Sequence, residues 1–354
     1  MNIIRVKIHS QSNLICPADD DVRAAMRRLN GAAYPFLLVV DRDGRLVGVL
    51  TDGDLRRAML QNSFSFDSPV TSCTNQSPVT AKIDQESNVD ALLRSTRGTI
   101  KFLPLLDDQG HPVAVLVGSD TQNAQRTALV MAGGFGKRLG ELTKGRPKPL
   151  LDLGGKPILA HIIEGLEANG CNRIFLAVHH MADQFAKFAT AHRGSSVIKL
   201  LHEPAPLGTA GAVSLLPKNL REPVLVINGD IVTSADYSSL WDLHQKHGND
   251  ATIGVARYEV EIPYGVIRHQ EDGSFTGIDE KPKLQHFVAA GIYFLSPAFV
   301  NLAAPGETID MPDLLNIGRS IGMKIGLCPI HEYWRDVGSP IDYQRAREAL
   351  GYEY

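Results

Sequence analysis

The sequence predicts an α/β protein: a mostly parallel, mixed sheet wrapped by helices over its last two thirds, preceded by a smaller α+β module. Three observations carry this. From residue 127 onward short apolar runs alternate with helical stretches, as βαβ units require. The first third repeats itself, residues 35–54 aligning without a gap to residues 101–120, a shift of 66 positions. Where the two parts meet, a short apolar run breaks into glycines and cations, ALVMAGGFGKRLG.

The repeat comes first in the chain. PFLLVVDRDGRLVGVLTDGD and KFLPLLDDQGHPVAVLVGSD share Phe36/Phe102, Leu37/Leu103, Asp41/Asp107, Gly44/Gly110, Val49/Val115, Leu50/Leu116 and Asp54/Asp120. Each reads as strand, Asp-x-x-Gly turn, strand. A helical stretch precedes each copy, at 20–29 and 88–96, with a capping residue at its start. Residues 118–126, GSDTQNAQR, are polar and without period, and read as a linker. The expected organisation is therefore a repeat module over 1–117, a linker over 118–126 and a larger domain over 127–354.

In the larger domain, apolar strands are expected at 127–131, 173–178, 197–201, 224–228, 251–257 and 288–295. Helices are expected near 157–169, 182–191, 210–216, 236–247 and 340–350. An open α/β sheet binds ligands at the carboxyl ends of its strands, which is where the glycine burst falls. Gly133, Gly134 and Gly136 let the backbone turn tightly and approach a ligand closely. Lys137, Arg138 and Lys148 put three cations beside that bare backbone, a combination suited to a triphosphate.

Familiar phosphate loops do not fit. A dinucleotide fingerprint would need glycine where Leu139 stands, and a P-loop would need glycine at Met131 and Ser or Thr at Arg138. Composition narrows the class further. The 354 residues are 44% apolar and 21% charged, with a net charge of -3, which gives no sign of a nucleic-acid surface. No run approaches the ~20 apolar residues of a membrane span, and the first residues lack the apolar core of a signal peptide. Cys16, Cys73, Cys171 and Cys328 are scattered, without C-x-x-C spacing, which fits buried thiols in a reducing cytoplasm. The expectation is a cytoplasmic protein without membrane or nucleic-acid partners.

The segment 132–139 together with Pro147-Lys148-Pro149 resembles the G-G-x-G-x-R-L…P-K-P signature of sugar-1-phosphate nucleotidyltransferases. Further blocks follow in that family's order: LHEPAPLGTAGA (201–212), VINGD (226–230), YGVI (264–267), EKP (280–282), AGIYFL (290–295) and WRDVGSP (334–340). The resemblance implies a Rossmann-like nucleotidyltransferase domain. It also implies transfer of a nucleotidyl group from an NTP to a sugar 1-phosphate, with release of pyrophosphate. It assigns Arg138 and Lys148 to catalysis, and Ala132, Gly133, Gly134, Gly136, Lys137, Glu203, Gly208 and Thr209 to the nucleotide. Gly265, Glu280, Lys281 and Gly291 fall to the sugar phosphate, and Asp230 and Asp336 to Mg²⁺.

Physical chemistry agrees with these roles. Attacking and attacked groups are both anionic, so charge neutralisation and alignment must carry the reaction. A guanidinium suits bidentate phosphate binding, and carboxylates suit a hard cation. Singly, an aspartate in a turn is more often a cap than a ligand; the weight lies in the combination. Two positions depart from the family pattern: Lys137 replaces a small hydroxyl residue, and Ala289 replaces an asparagine of the sugar side.

The repeat module resembles a tandem pair of cystathionine-β-synthase (CBS) domains, which often bind adenine nucleotides. That resemblance marks Thr51, Asp54 and Asp120 as a possible regulatory site for an adenine or guanine nucleotide. Val117 stands in the second copy where Thr51 stands in the first. An apolar stripe, Val22, Ala25, Met26 and Leu29, suggests a helical face for a homodimer or higher oligomer. The domain order resembles bacterial enzymes that make GDP-activated amino sugars, such as GDP-glucosamine for legionaminic acid synthesis. GTP and glucosamine 1-phosphate are the expected substrates on that basis. Mannose or heptose 1-phosphate, and UTP, CTP or dTTP, stay open. A non-catalytic regulator would be expected to have lost Arg138, Lys148 or an aspartate, and all four residues are present.

Overall fold

The computed structural model describes residues 2–9, 11–61, 63–83, 92–93, 100–119, 126–134 and 136–349. The second helical stretch, 88–96, lies almost wholly outside them, as do Asp120 and residues 121–125 of the expected linker. By packing, the chain forms two compact units, Met1–Gln125 with Asp236–Asn249, and Arg126–Ala235 with Asp250–Tyr354. No helix among the described residues is long and apolar enough to cross a membrane.

The first unit holds a three-stranded sheet of β2 (Ile15–Pro17), β3 (Phe36–Val40) and β4 (Leu46–Thr51). Beside it is a four-stranded sheet of β1 (Asn2–Lys7), β7 (Pro112–Ser119), β6 (Ile100–Leu106) and β5 (Ala81–Lys82), in that order. The repeat appears in the register itself. Phe36 faces Thr51 and Val40 faces Leu46 in one hairpin; Phe102 faces Val117 and Leu106 faces Pro112 in the other, with the register shift at the same step. Both turns are built alike. Asp41 and Asp107 each accept two backbone N–H groups of their own turn, and Gly44 and Gly110 take φ of +82° and +88°. The equivalent rings of Phe36 and Phe102 stack 4.1 Å apart, in a cluster that draws Val49 and Val115 from the two copies.

Helix α1 (Val22–Gly31) starts at Asp21, whose carboxylate accepts the Ala24 N–H. The structure corrects one expectation here. Val22, Ala25 and Leu29 are buried in the unit's own core against Leu37, Val39 and Leu50, and Met26 packs on that core. The stripe therefore offers no open face to a second copy. Helix α2 (Asp52–Met59) opens with a reciprocal cap, Thr51 Oγ1 accepting the Asp54 N–H and Asp54 Oδ2 accepting the Thr51 N–H. Thr51 and Asp54, two of the three residues expected at the regulatory site, thus also close this helix.

The second unit is built on seven strands: β8 (Arg126–Met131), β9 (Cys171–Val178), β10 (Val197–His202), β11 (Val224–Asn228), β13 (Ala251–Glu261), β16 (Lys283–Leu295) and β17 (Ile325–Ile330). Their order is β10-β9-β8-β11-β16-β13-β17, and only β16 runs against the rest. The expected mostly parallel, mixed sheet is what forms. Helices Ile158–Ala168 and Ala182–Ala191 supply the crossovers. Leu129, Phe175, Val224, Val226 and Leu295 form part of one core cluster with Phe299, Met311 and Leu314. All four cysteines are buried free thiols, as their scatter suggested. A three-residue strand β12 (Ile231–Thr233) pairs with β18 (Trp334–Asp336) as a separate ribbon, and β14 (Val266–His269) pairs with β15 (Phe275–Asp279) as a hairpin.

Candidate active site

Strands β8 and β11 lie side by side, with Asn228 opposite Met131, so the segments leaving them meet at one edge of the sheet. Gly229 donates its N–H to the Met131 carbonyl at 2.9 Å. A Cβ on Gly229 would lie 2.8 Å from that carbonyl oxygen and 3.1 Å from Pro149 Cγ, so only glycine passes here without displacing its neighbours. An open cavity of about 380 Å³ lies at this edge. Ala132, Gly134, Gly136, Arg138, Lys148 and Asp230 line it, together with Met131, Leu139, Pro149, Gly229 and Gly338.

The glycine loop does two jobs. Gly136 adopts φ of +62° and starts the 3-10 stretch Lys137–Thr143; a Cβ there would crowd Thr143 and the Lys148 stem at 3.1 and 3.2 Å. A Cβ on Gly134 would meet nothing within 4 Å among the described residues, so that side of the loop is open. Lys148 begins the 3-10 turn Lys148–Leu150, between Pro147 and Pro149, and is buried.

Asp230 and Asp336 are far apart in sequence and are joined by the ribbon. Ile231 of β12 faces Asp336 of β18, and the Val337 N–H donates to the Asp230 carbonyl at 3.0 Å. Lys148 reaches between the two carboxylates, with Nζ 2.5 Å from Asp230 Oδ2 and 3.7 Å from Asp336 Oδ1. Burial pushes the Asp336 carboxyl above its ordinary range, and the Asp230 charge adds to this, against the opposing pull of Lys148 and Arg138. Oδ1 of each aspartate is buried without a hydrogen-bond partner among the described residues. Paired oxygen ligands of this kind suit a hard divalent cation. Arg138 and Asp336 both border Gly338, where a Cβ would lie 3.5 Å from Arg138 Nη1 and 3.6 Å from Asp336 Oδ2.

Of the other expected nucleotide residues, Glu203 meets the loop directly. A Cβ on Gly133 would lie 2.5 Å from Glu203 Oε1, so the loop and the residue leaving β10 are in close approach. Glu203 is buried, and its Oε2 accepts the Leu207 N–H at 3.1 Å. Burial raises its carboxyl above the usual range, with the Leu207 N–H and His179 pulling the other way. Gly208 takes φ of +80°. Thr209 donates its hydroxyl to Asp310 Oδ1 and accepts the Met311 N–H, so this side chain caps the helix Met311–Ser320. The side chain of Lys137 lies outside the described residues.

Among the residues expected on the sugar side, Gly291 has φ of +70°, and a Cβ there would lie 2.7 Å from Asn228 Nδ2. This glycine thus makes room for the residue that leads into Gly229-Asp230. Gly265 and Glu280 meet at the base of the β14/β15 hairpin, a Cβ on Gly265 falling 2.9 Å from Glu280 Oε2. Lys281 is exposed, with φ of +46°. Gly265, Glu280 and Lys281 are not among the described residues that line the cavity. Sequence reasoning missed Gly229, Gly338 and Asn228. Their signal was present in the NGD and DVGSP blocks, where glycines flank each aspartate.

Residues 127–352 match the family described as Nucleotidyl transferase, and residues 6–61 match the CBS domain. The mannose-1-phosphate guanylyltransferase catalytic subunit beta of Drosophila pseudoobscura pseudoobscura is 33% identical over 225 residues, 61% of this chain and 60% of that protein. Among solved structures, HddC from Yersinia pseudotuberculosis aligns with a TM-score of 0.51 at 27% identity, covering 64% of this chain and 99% of that one. The same protein complexed with GMP-PN aligns with a TM-score of 0.50 at 26% identity, over the same shares of the two chains. The chain spans about 60% of the length of the curated relatives it matches.

Proposed function

This chain belongs to the nucleotidyl transferase family, and on that footing we propose that it transfers a guanylyl group from GTP to a hexose 1-phosphate, releasing pyrophosphate. One observation carries the reading: a buried ammonium between two carboxylates, beside a glycine loop and an arginine, in one cavity at the sheet edge. The guanine preference is supported by relatives named as guanylyltransferases and by a structural neighbour complexed with GMP-PN. Those relatives are named for mannose 1-phosphate, so it leads the panel of sugars to test. Glucosamine 1-phosphate, expected from domain order alone, stands in the same panel.

In this proposal a phosphate oxygen of the sugar 1-phosphate attacks the α-phosphorus of GTP. A new P–O bond forms as the bond to the β-phosphate oxygen breaks, and pyrophosphate leaves with the electron pair. The glycine backbone at Gly133, Gly134 and Gly136, with Ala132 and Lys137, receives the nucleotide phosphates. Arg138 holds the β- and γ-phosphates and compensates the charge that grows on the leaving group. Lys148 bridges the α-phosphate and the incoming sugar phosphate, which aligns two anions that otherwise repel.

Glu203 and Gly208 shape the nucleobase side, and Thr209 secures that segment through its bonds to Asp310 and Met311. Gly265, Glu280, Lys281 and Gly291 form the sugar side. Asp230 and Asp336 are the residues that would hold Mg²⁺, which when bound neutralises phosphate charge. No side chain serves as a covalent nucleophile, since the sugar phosphate supplies its own attacking oxygen.

The test is incubation of the full chain with GTP, UTP, CTP, dTTP or ATP against a panel of sugar 1-phosphates, following pyrophosphate release. Turnover with GTP and mannose 1-phosphate or another hexose 1-phosphate is expected. A ten-fold preference for another NTP would overturn the guanine assignment. Absence of pyrophosphate in every pairing would overturn the enzyme itself and leave a nucleotide-binding regulator.

A further inference from the structure

We propose that the Lys148 ammonium occupies the cation position of the ligand-free enzyme, so that a divalent metal binds well only when phosphate draws the lysine away. The proposal rests on the assignment of Asp230 and Asp336 as metal ligands. Lys148 Nζ lies 2.5 Å from one carboxylate and 3.7 Å from the other, and the lysine side chain is 9% exposed. A buried ammonium needs a counter-charge, and two neighbouring carboxylates need a cation. Each requirement is met by the other group. The turn between Pro147 and Pro149, with the lysine stem against Gly136, sets the direction in which the side chain leaves the backbone.

The match is incomplete, and that gives the arrangement its use. Two carboxylates and one ammonium leave a net formal charge of -1, and Oδ1 of each aspartate accepts no hydrogen bond among the described residues. A metal ion arriving alone must displace the ammonium from both of its carboxylate partners, or bind within about 4 Å of a like charge; both oppose binding. Nucleotide phosphates remove this conflict by offering the ammonium an anionic partner in the adjoining cavity. Metal and nucleotide then favour each other's binding reciprocally. The enzyme without nucleotide keeps its two aspartates partly compensated by the ammonium instead of trapping free cations.

The experiment titrates Mn²⁺ into the full-length chain without nucleotide, following unbound Mn²⁺ by electron paramagnetic resonance and the ion's effect on the melting temperature. Lys148→Met and Lys148→Gln should each bind Mn²⁺ at least about ten-fold more tightly than the wild type, since each removes one full charge from the site. Lys148→Arg, which keeps the charge, should bind weakly like the wild type. Adding Asp230→Asn to Lys148→Gln should abolish the gain. Equal affinity in wild type, Lys148→Met and Lys148→Gln would overturn the lysine's role while leaving the metal ligands standing. A gain that survives Asp230→Asn would place the ion elsewhere and overturn both the proposal and the metal assignment beneath it.

Discussion

Asp230→Asn removes the closer of the two carboxylates that face Lys148. The pair is separated by 2.5 Å, with side-chain exposures of 9% and 24%. Deleting one partner of a buried ion pair costs about 3–5 kcal/mol, because the surviving charge is left uncompensated. Two features lower that figure here. Asp336 still faces the ammonium at 3.7 Å, and the repulsion between the carboxylates disappears. A net loss of about 2 kcal/mol follows, and at about 2–4 °C per kcal/mol for a unit of this size the melting temperature should fall by about 4–8 °C.

Asp336→Asn should behave oppositely. Its Oδ1 accepts no hydrogen bond among the described residues, and burial and Asp230 both disfavour its charge. The melting temperature should therefore hold or rise. Both variants should lose at least about 100-fold in turnover, about 3 kcal/mol of transition-state stabilisation. Calorimetric melting near pH 7.5 and pyrophosphate release on the same preparations decide this. If Asp230→Asn melts with the wild type, the ion pair contributes nothing to folding. If either variant turns over within three-fold of the wild type, the carboxylates do not serve the reaction.

Two further outcomes are expected. Arg138→Ala should lower turnover about 100-fold with little change in melting temperature, because the side chain lines the cavity and, in the proposed reaction, its charge acts on the departing phosphates; turnover within three-fold of wild type would reassign it. Glu167 concerns stability alone. Its burial opposes the charge, but the Ser196 hydroxyl and N–H and His192 outweigh it and hold the carboxyl below its ordinary range. A depressed folded-state value stabilises above the unfolded pKa of about 4.5 and is lost as pH falls through the folded one. Glu167→Gln should cost about 2 kcal/mol near pH 7, with the gap to wild type closing below about pH 4; a gap that does not narrow with acid would exclude linkage through this carboxylate.

Much of the fold was legible because its signals are local. The central strands β8, β9 and β11 of the large sheet are largely buried apolar runs, and these and the half-exposed β10 were placed within two residues of their observed ends. The shift of 66 positions foretold a register that the two hairpins keep pair for pair. What was missed is long-range. Three-residue strands such as β12 and β18 show no period, so nothing in the sequence said that residues 231 and 336 face each other.

Gly291 was expected on the sugar side; its positive φ and the Asn228 amide against it become visible only once β11 and β16 are paired. The stripe on α1 was misjudged for a related reason. An apolar helical face reports that something covers it, not whether the cover is the same chain, and here Leu37, Val39 and Leu50 provide it. The linker was drawn too long at both ends, since β7 runs to Ser119 and β8 begins at Arg126; polar residues pair at strand ends without leaving an apolar trace.

The β12/β18 ribbon bears on how the molecule is made. During synthesis from the N-terminus, the glycine loop, Arg138, Lys148 and Asp230 all emerge well before Asp336. Until Trp334–Asp336 has been translated and paired, the chain holds every lining residue of the cavity except Gly338, and a single carboxylate to face Lys148. Arg138 and Lys148 then have one aspartate beside them, and the last short strand brings the second carboxylate. In the proposed reaction, chemical competence thus waits on one small contact late in the chain, the pairing of Ile231–Thr233 with Trp334–Asp336.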